Sequence, residues 1–348
     1  MNFKSNYFDW WLILPAVLLV IMGLTIIRSV APSLLLYQLA FAATAALVLV
    51  LIALVDYRIL QALHLPIYIG SLIFLITPFI FGSQARGALR WLQFGQISIQ
   101  PSEIVKPFLL LSFVMFPTRW RAVAFIVPAL IIFFQPDLGT TLVLTVGWLT
   151  VFLSKFSFRR IVAIGLVVFF LVGPLFWLVL KSYQKDRLMT FINPYADPLG
   201  RGYQVIQSVI TVGSGQFAGR GLGQGTQSQL RFLPERHTDF IFASLSEELG
   251  FVGSGFVLVL FLLILWRIYL LSQTATDQTV TLYALATLTM LAFHIWVNIG
   301  MNLGLAPITG ITLPFVSYGG SSLVSLGLTL GLLISMNRQT TRASFQIK

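Results

Sequence analysis

The chain has 348 residues, 9% of them charged and 57% hydrophobic, whereas a soluble domain carries about 25% charged residues. That composition excludes a soluble enzyme and predicts an all-α polytopic membrane protein, read as one domain over 1–348. The net charge of +11 comes without any recognisable nucleic-acid module. Cysteine is absent and the three histidines, His64, His237 and His294, are scattered, so disulfide chemistry and a zinc site are set aside.

A run of about 20 apolar residues crosses the hydrocarbon as a helix. Ten such segments can be drawn: Trp10–Arg28, Leu35–Val55, Leu60–Gly82, Glu103–Phe116, Ala122–Phe134, Gly139–Ser154, Ile161–Leu180, Phe240–Leu271, Thr279–Leu303 and Pro314–Met336. The first is long and lacks a convincing cleavage site, so it reads as a retained helix and not a signal peptide. The fourth and fifth are short and carry Pro107 and Pro128, so tilted or broken helices lining an enclosed cavity are expected there.

Charge placement orients the bundle. Lys4, Arg58, Arg119, Arg121, Lys155, Arg159, Arg160, Arg267, Arg338, Arg342 and Lys348 fall in one set of connections, and the short loops of the other set hold only Arg28, Arg86 and Arg90. The positive-inside rule then predicts both termini in the cytoplasm. The long polar loop Lys181–Thr238, between spans seven and eight, is expected outside, with most acidic residues beside it or within spans. Carboxylates near hydrocarbon are costly and mark functional sites.

The first chemical block, in chain order, is Gln100-Pro101-Ser102-Glu103, followed by Lys106. Glu103 and Lys106 share a helix face and make either a structural ion pair or a charged cavity wall, with Lys106 offered to an anion. Arg86 and Arg90, next to Trp91, read as interface anchors or substrate cations. In Gln135-Pro136-Asp137-Leu138-Gly139-Thr140, Asp137 suits a helix N-cap.

Within the outer loop, Arg201 precedes a glycine-rich run, Gly213–Gly225, which contains Arg220. Such a run is either a flexible turn or a cradle of backbone amides for a phosphate. Leu233–Gly250 then reads LPERHTDFIFASLSEELG and holds four of the eleven acidic residues. Thr238 is a candidate N-cap for a helix starting at Phe240. Asp239 reads either as a helix-start carboxylate paired with Arg236 or His237, or as a general base strengthened by partial desolvation. Glu247 and Glu248, about two turns deeper, read as a structural pair or as cavity walls. The last block, LPFVSYGGSS with Ser317, has the small residues of an unwound or closely packed segment.

The blocks QPSEIVK, QPDLGTT, DPLGRGYQVIQS, LPERHTDFIFASLSEELG and LPFVSYGGSS, in this order, together resemble the SEDS family of cell-wall membrane proteins (RodA/FtsW/SpoVE). The short termini and residues 225–248 resemble the elongation branch more than the division branch. The resemblance implies a ten-helix glycosyltransferase of the bacterial inner membrane that polymerises lipid II into glycan strands for elongation and rod shape. It also implies a class B penicillin-binding protein as crosslinking partner, beside other elongation-complex proteins. The family's essential aspartate falls on Asp239, and its Glu and Lys fall on Glu103 and Lys106. Asp239 is then the base. Lys106, Glu103, Arg86, Arg90, Arg201, Arg220 and Arg236 are candidates at the substrate, and His237, Glu247, Glu248 and Ser317 support them. A divalent cation, Mg or Mn, stays open without a ligand set. A lipid II flippase, a scaffold, or a division or sporulation role are the competing readings.

Overall fold

The computed structural model describes residues 8–85, 88–95, 97–167, 178 and 182–346. Arg86 and most of the seventh expected span therefore lie outside the described residues. The remaining expected spans fall on helices: α1 (Trp10–Val30), α2 (Leu35–Leu54), α3 (Tyr57–Ala62) with α4 (His64–Phe81), α5 (Pro101–Met115), α6 (Arg121–Phe134), α7 (Leu138–Leu153), and later α12 (Ile241–Thr274), α13 (Gln278–Asn302) and α14 (Gly320–Gln346). Helix α8 (Phe158–Val167) covers the start of the seventh. Six helices among the described residues are long and apolar enough to span a membrane, and α6 and α7 are shorter apolar ones.

Helix α5 runs through the middle of the bundle, with Leu109, Leu110, Leu111 and Phe113 fully buried. Helices α4, α7, α13 and α14 pack around it. Helix α14 seats on α2 through Gly327 and Gly331. A Cβ there would meet the carbonyl oxygens of Ala45 at 2.4 Å and Leu49 at 2.8 Å, so small residues set the spacing.

Polar ties gather at the two ends of the bundle. At one, Arg267 pairs with Asp9 at 2.8 Å, Asn337 donates to Asp9, and the Tyr57 hydroxyl donates to Asp277 at 2.8 Å. At the other, Arg90 faces Asp137, and Arg236 donates to the Val30 carbonyl closing α1. Arginines repeatedly satisfy helix-end carbonyls, as cations near C-termini do. Arg121, for instance, donates to Val114, Phe116 and Val151.

Two regions depart from expectation. The connection before the QPSE block, expected as loop, holds a three-stranded antiparallel sheet of β1 (Ser83–Ala85), β2 (Ala88–Phe94) and β3 (Ile97–Ile99). The long polar segment after span seven holds three helices, α9 (Ser182–Ile192), α10 (Tyr203–Ser214) and α11 (Thr226–Gln229). Helix α10 is amphipathic and buries Val205, Ser208 and Thr211, with Ser208 bonded to the Asn302 carbonyl.

Several backbone amides of the glycine-rich run are turned onto the protein itself. Helix α12 breaks at Gly250, whose φ is 66°, and the run clasps that break. The amides of Arg220 and Gly221 donate to the carbonyls of Glu247 and Glu248 at 2.9 and 3.0 Å, and those of Phe251 and Val252 donate to Gln216 and Phe217. Gly219, at φ 82°, lies so close that a Cβ would stand 2.3 Å from the Glu248 oxygen. The broken helix's orphan groups are thereby satisfied.

Candidate active-site cleft

Residues 234–240 form a run of turns leading into α12. Helix α12 starts at Ile241 with Phe240 at its N-cap and no side-chain cap bond, so Thr238 is not the cap expected. Its hydroxyl donates instead to Glu235. Three successive carbonyls of this turn are held from outside. Tyr318 N–H donates to His237 at 2.9 Å and the Ser317 hydroxyl to Thr238 at 2.7 Å. The amides of Asn298 and Asn302 donate to Asp239 at 3.1 and 3.0 Å. Every donor comes from α13 or the 313–319 loop, so the backbone position of Asp239 is dictated by elements 59 or more residues away.

Above this turn opens a cleft of about 330 Å³ in which Asp239, His237, Glu103, Asp137 and Arg90 all take part. Gly310 forms one wall, and a Cβ there would be 3.6 Å from Asp239 Oδ2. Thr312, Tyr318, Ser321 and Ser322 form another, with Trp91, Gln93 and Ser98 of the sheet facing them. Asp137 caps α7 through Thr140 N–H at 3.2 Å, as expected, and also meets Arg90 at 3.4 Å and Gln100 Nε2 at 2.6 Å. The guanidinium of Arg90 rests over Trp91.

Glu103 and Lys106 make the expected pair at 2.8 Å. Glu103 borders the cleft, while Lys106 lies behind it, 4% exposed, beside a small enclosed chamber with His294 and Thr287. The geometry gathers four sequence blocks, QPSE, QPD, HTD and YGGSS, around one opening.

Other candidates sit elsewhere. Arg201 pairs with Asp186 at 2.5 Å outside the cleft. Arg220 is exposed in the clasp and donates to the Ser214 carbonyl. Arg236 is engaged with Val30, and burial, reinforced by Arg231, lowers its pKa from the ordinary guanidinium value. Glu247 is fully buried and accepts from Gln227 N–H, Ser228 N–H and the Ser228 hydroxyl at 2.6–2.9 Å. Glu248 accepts from Ser29 and Gln229. Both therefore anchor the clasp.

Gln38, unremarked in the sequence, donates to the Ser317 carbonyl and accepts from Gly319 N–H, clamping the YGGSS wall. A lone amide inside an apolar span was the available signal. Among the described residues no three His, Asp or Glu side chains cluster as a metal site.

Fold and site define a polytopic membrane protein with a charged cleft at one end of a helical bundle. The family model described as "Cell cycle protein" (FtsW, RodA, SpoVE) matches residues 7–342, and the chain belongs to that family. Relatives include the peptidoglycan glycosyltransferase MrdB of Escherichia coli K12, 40% identical over 83% of this chain and 82% of its own. Stage V sporulation protein E of Bacillus subtilis is 37% identical over 86% of each. A solved peptidoglycan synthase complex, described as coordinating polymerization and crosslinking, contains a chain that superposes with a TM-score of 0.82 at 33% identity, covering 96% of this chain and 98% of that one. The crystal structure of Thermus thermophilus RodA gives 0.71 at 28% identity, covering 96% and 97%.

Proposed function

We propose that this chain is a peptidoglycan glycosyltransferase that polymerises lipid II into glycan strands for cell elongation and rod shape, with Asp239 as its general base. The observation that carries the reading is the convergence of four sequence-distant polar blocks on one open cleft containing Asp239. The name of the Escherichia coli relative supports it independently.

In the reaction, a sugar hydroxyl of one substrate attacks the anomeric carbon of another. The glycosidic C–O bond forms, the bond to the lipid pyrophosphate breaks, and its electron pair leaves with the pyrophosphate. Asp239 accepts the hydroxyl proton, a role typically worth 10²–10⁴-fold. Arg90, on the cleft wall, faces the developing negative charge, and a cation fixed in place needs no reorganisation. Glu103, neutralised by Lys106, and His237 shape the polar floor around the reacting sugars. Ser317 acts on the backbone, holding the turn that presents Asp239. A divalent cation in this cleft would be held by Asp137, since Mg²⁺ is bound through one or two carboxylates beside substrate and water, and would offset the negative charge of the departing pyrophosphate.

The excess of Lys and Arg in the connections at the end of the bundle that holds both termini supports an orientation with both termini cytoplasmic and the cleft facing outward from a bacterial inner membrane. The synthase-complex neighbour supports a crosslinking transpeptidase, a class B penicillin-binding protein, as partner within the elongation machinery. A flippase would need a polar path continuing past Glu103. Among the described residues that path meets a buried ion pair and a chamber of only about 20 Å³.

The test is polymerisation of purified lipid II by this protein with its class B partner, which lacks polymerase activity of its own. Wild-type polymer that disappears in Asp239→Ala supports the assignment. Near wild-type polymer from Asp239→Ala removes the base. No polymer from either protein, with lipid II crossing liposome membranes, replaces the enzyme by a transporter.

A further inference from the structure

A second cavity of about 280 Å³ lies outside the cleft, in the groove between α9 and α10. Asp186, Arg187 and Thr190 line it from α9, where Thr190 stands four residues after Asp186 and three after Arg187, both same-face spacings on a helix. Arg201, in the turn before α10, and Gln204, in its first turn, line it from the other side, with Ile308 also in the lining. Ile308 and Gly310 are two residues apart, and Gly310 lines the cleft beside Asp239. One loop is therefore the common wall of both cavities. Its far side is fixed by packing, since Ile308 rests on the small cluster of Leu233, Phe240 and Ala243, and Phe240 directly follows Asp239.

The chemistry of this groove differs from that of the cleft. It carries two guanidinium groups and one carboxylate, and Asp186 is engaged by Arg201 at 2.5 Å. Among the described residues, Arg187 and Gln204 make no side-chain hydrogen bond or ion pair to the protein. The groove thus offers one uncompensated cation and an amide beside it, a pair suited to a carboxylate that also presents amide groups. Its volume sits just below the ~300 Å³ at which small-molecule pockets begin, so it suits the end of a chain better than a whole disaccharide.

We propose that the α9–α10 groove binds the carboxylate-bearing peptide stem of the peptidoglycan substrate while the sugars occupy the cleft on the other side of the 308–310 wall. This rests on the glycosyltransferase reading and names a second contact for the same substrate. Arg187 and Gln204 are its specificity determinants, and Asp186 orients Arg201 at the rim.

The experiment compares wild type with an Arg187→Ala/Gln204→Ala double variant, each with its class B partner, on two substrates. One is lipid II with its complete stem, and the other is lipid II whose stem carboxylates are amidated. The variant is expected to lose about tenfold in kcat/KM on the carboxylate substrate, the size of one lost charged hydrogen bond, and to match wild type on the amidated one. Equal loss on both substrates, or loss on neither, overturns the proposal. Product length separates the sources of the stem: shorter polymer marks the growing strand, and a lower initial rate at unchanged length marks the incoming lipid II. If wild type makes no polymer, the glycosyltransferase reading has failed instead. Binding of soluble disaccharide-peptide to wild type but not to the double variant would then still decide the groove.

Discussion

Asp239 and the Glu247–Glu248 pair stand within ten residues of one another, yet they belong to two differently built regions. In the clasp, glycine backbone, short helix α11 and buried acids close on themselves, and each Glu247 oxygen accepts protein donors. In the cleft, carboxylates of Glu103, Asp137 and Asp239 border open volume, and the protein's hydrogen bonds hold the backbone of the Asp239 turn. Both regions are rich in acids, arginines and small residues. What separates them is whether the carboxylates border open volume, and composition does not record that.

The contrast can be broken in four ways. Asp239→Ala should cost 10²–10⁴-fold in polymerisation rate while leaving thermal unfolding in detergent near wild type, because the frame grips the residue 239 carbonyl; a matching drop in Tm would make Asp239 a structural residue. Glu247→Ala should behave oppositely. It strands three buried donors and destabilises by roughly 3 kcal/mol, read as a lowered Tm, while the fraction that stays folded keeps its specific activity. Gly250→Ala should cost about 1–3 kcal/mol, since its φ is positive and a Cβ would stand 2.2 Å from the Gly219 nitrogen. Protease nicking of residues 214–229 should rise with it. The smallest effect is expected from Gln38→Leu, about 1–2 kcal/mol from two lost buried bonds. It should raise KM more than it lowers kcat, because the YGGSS wall loosens while the base is untouched; an unchanged KM would detach that wall from substrate binding.

Much of the bundle was legible from apolar run length, because crossing the hydrocarbon as a helix takes about 20 apolar residues. Asp137 as a cap and Glu103 with Lys106 as a pair were legible because both are local, within three residues. The sheet before the QPSE block was not, since its strands are three to seven residues long and show no sustained alternation of apolar and polar positions. Nor were the fates of Arg201, Arg220 and Arg236. A guanidinium serves a carboxylate, a helix-end carbonyl or a substrate equally well, and the partner lies at arbitrary distance along the chain: 15 residues for Arg201 and 206 for Arg236. Gln38 was invisible for the same reason, its partners being about 280 residues away.

The clasp also bears on how this chain comes to be made. Many of the partners of residues 214–229 lie downstream, on Glu247, Glu248, Phe251 and Val252, and the earlier ones are Thr211 and Gln207 of α10 and Ser29 near the end of α1. A ribosome that has finished the glycine-rich run has therefore produced a segment with many of its bonding partners still untranslated. The arrival of α12 supplies the partners that lock this segment, so the middle of the protein closes only after its later half has been made.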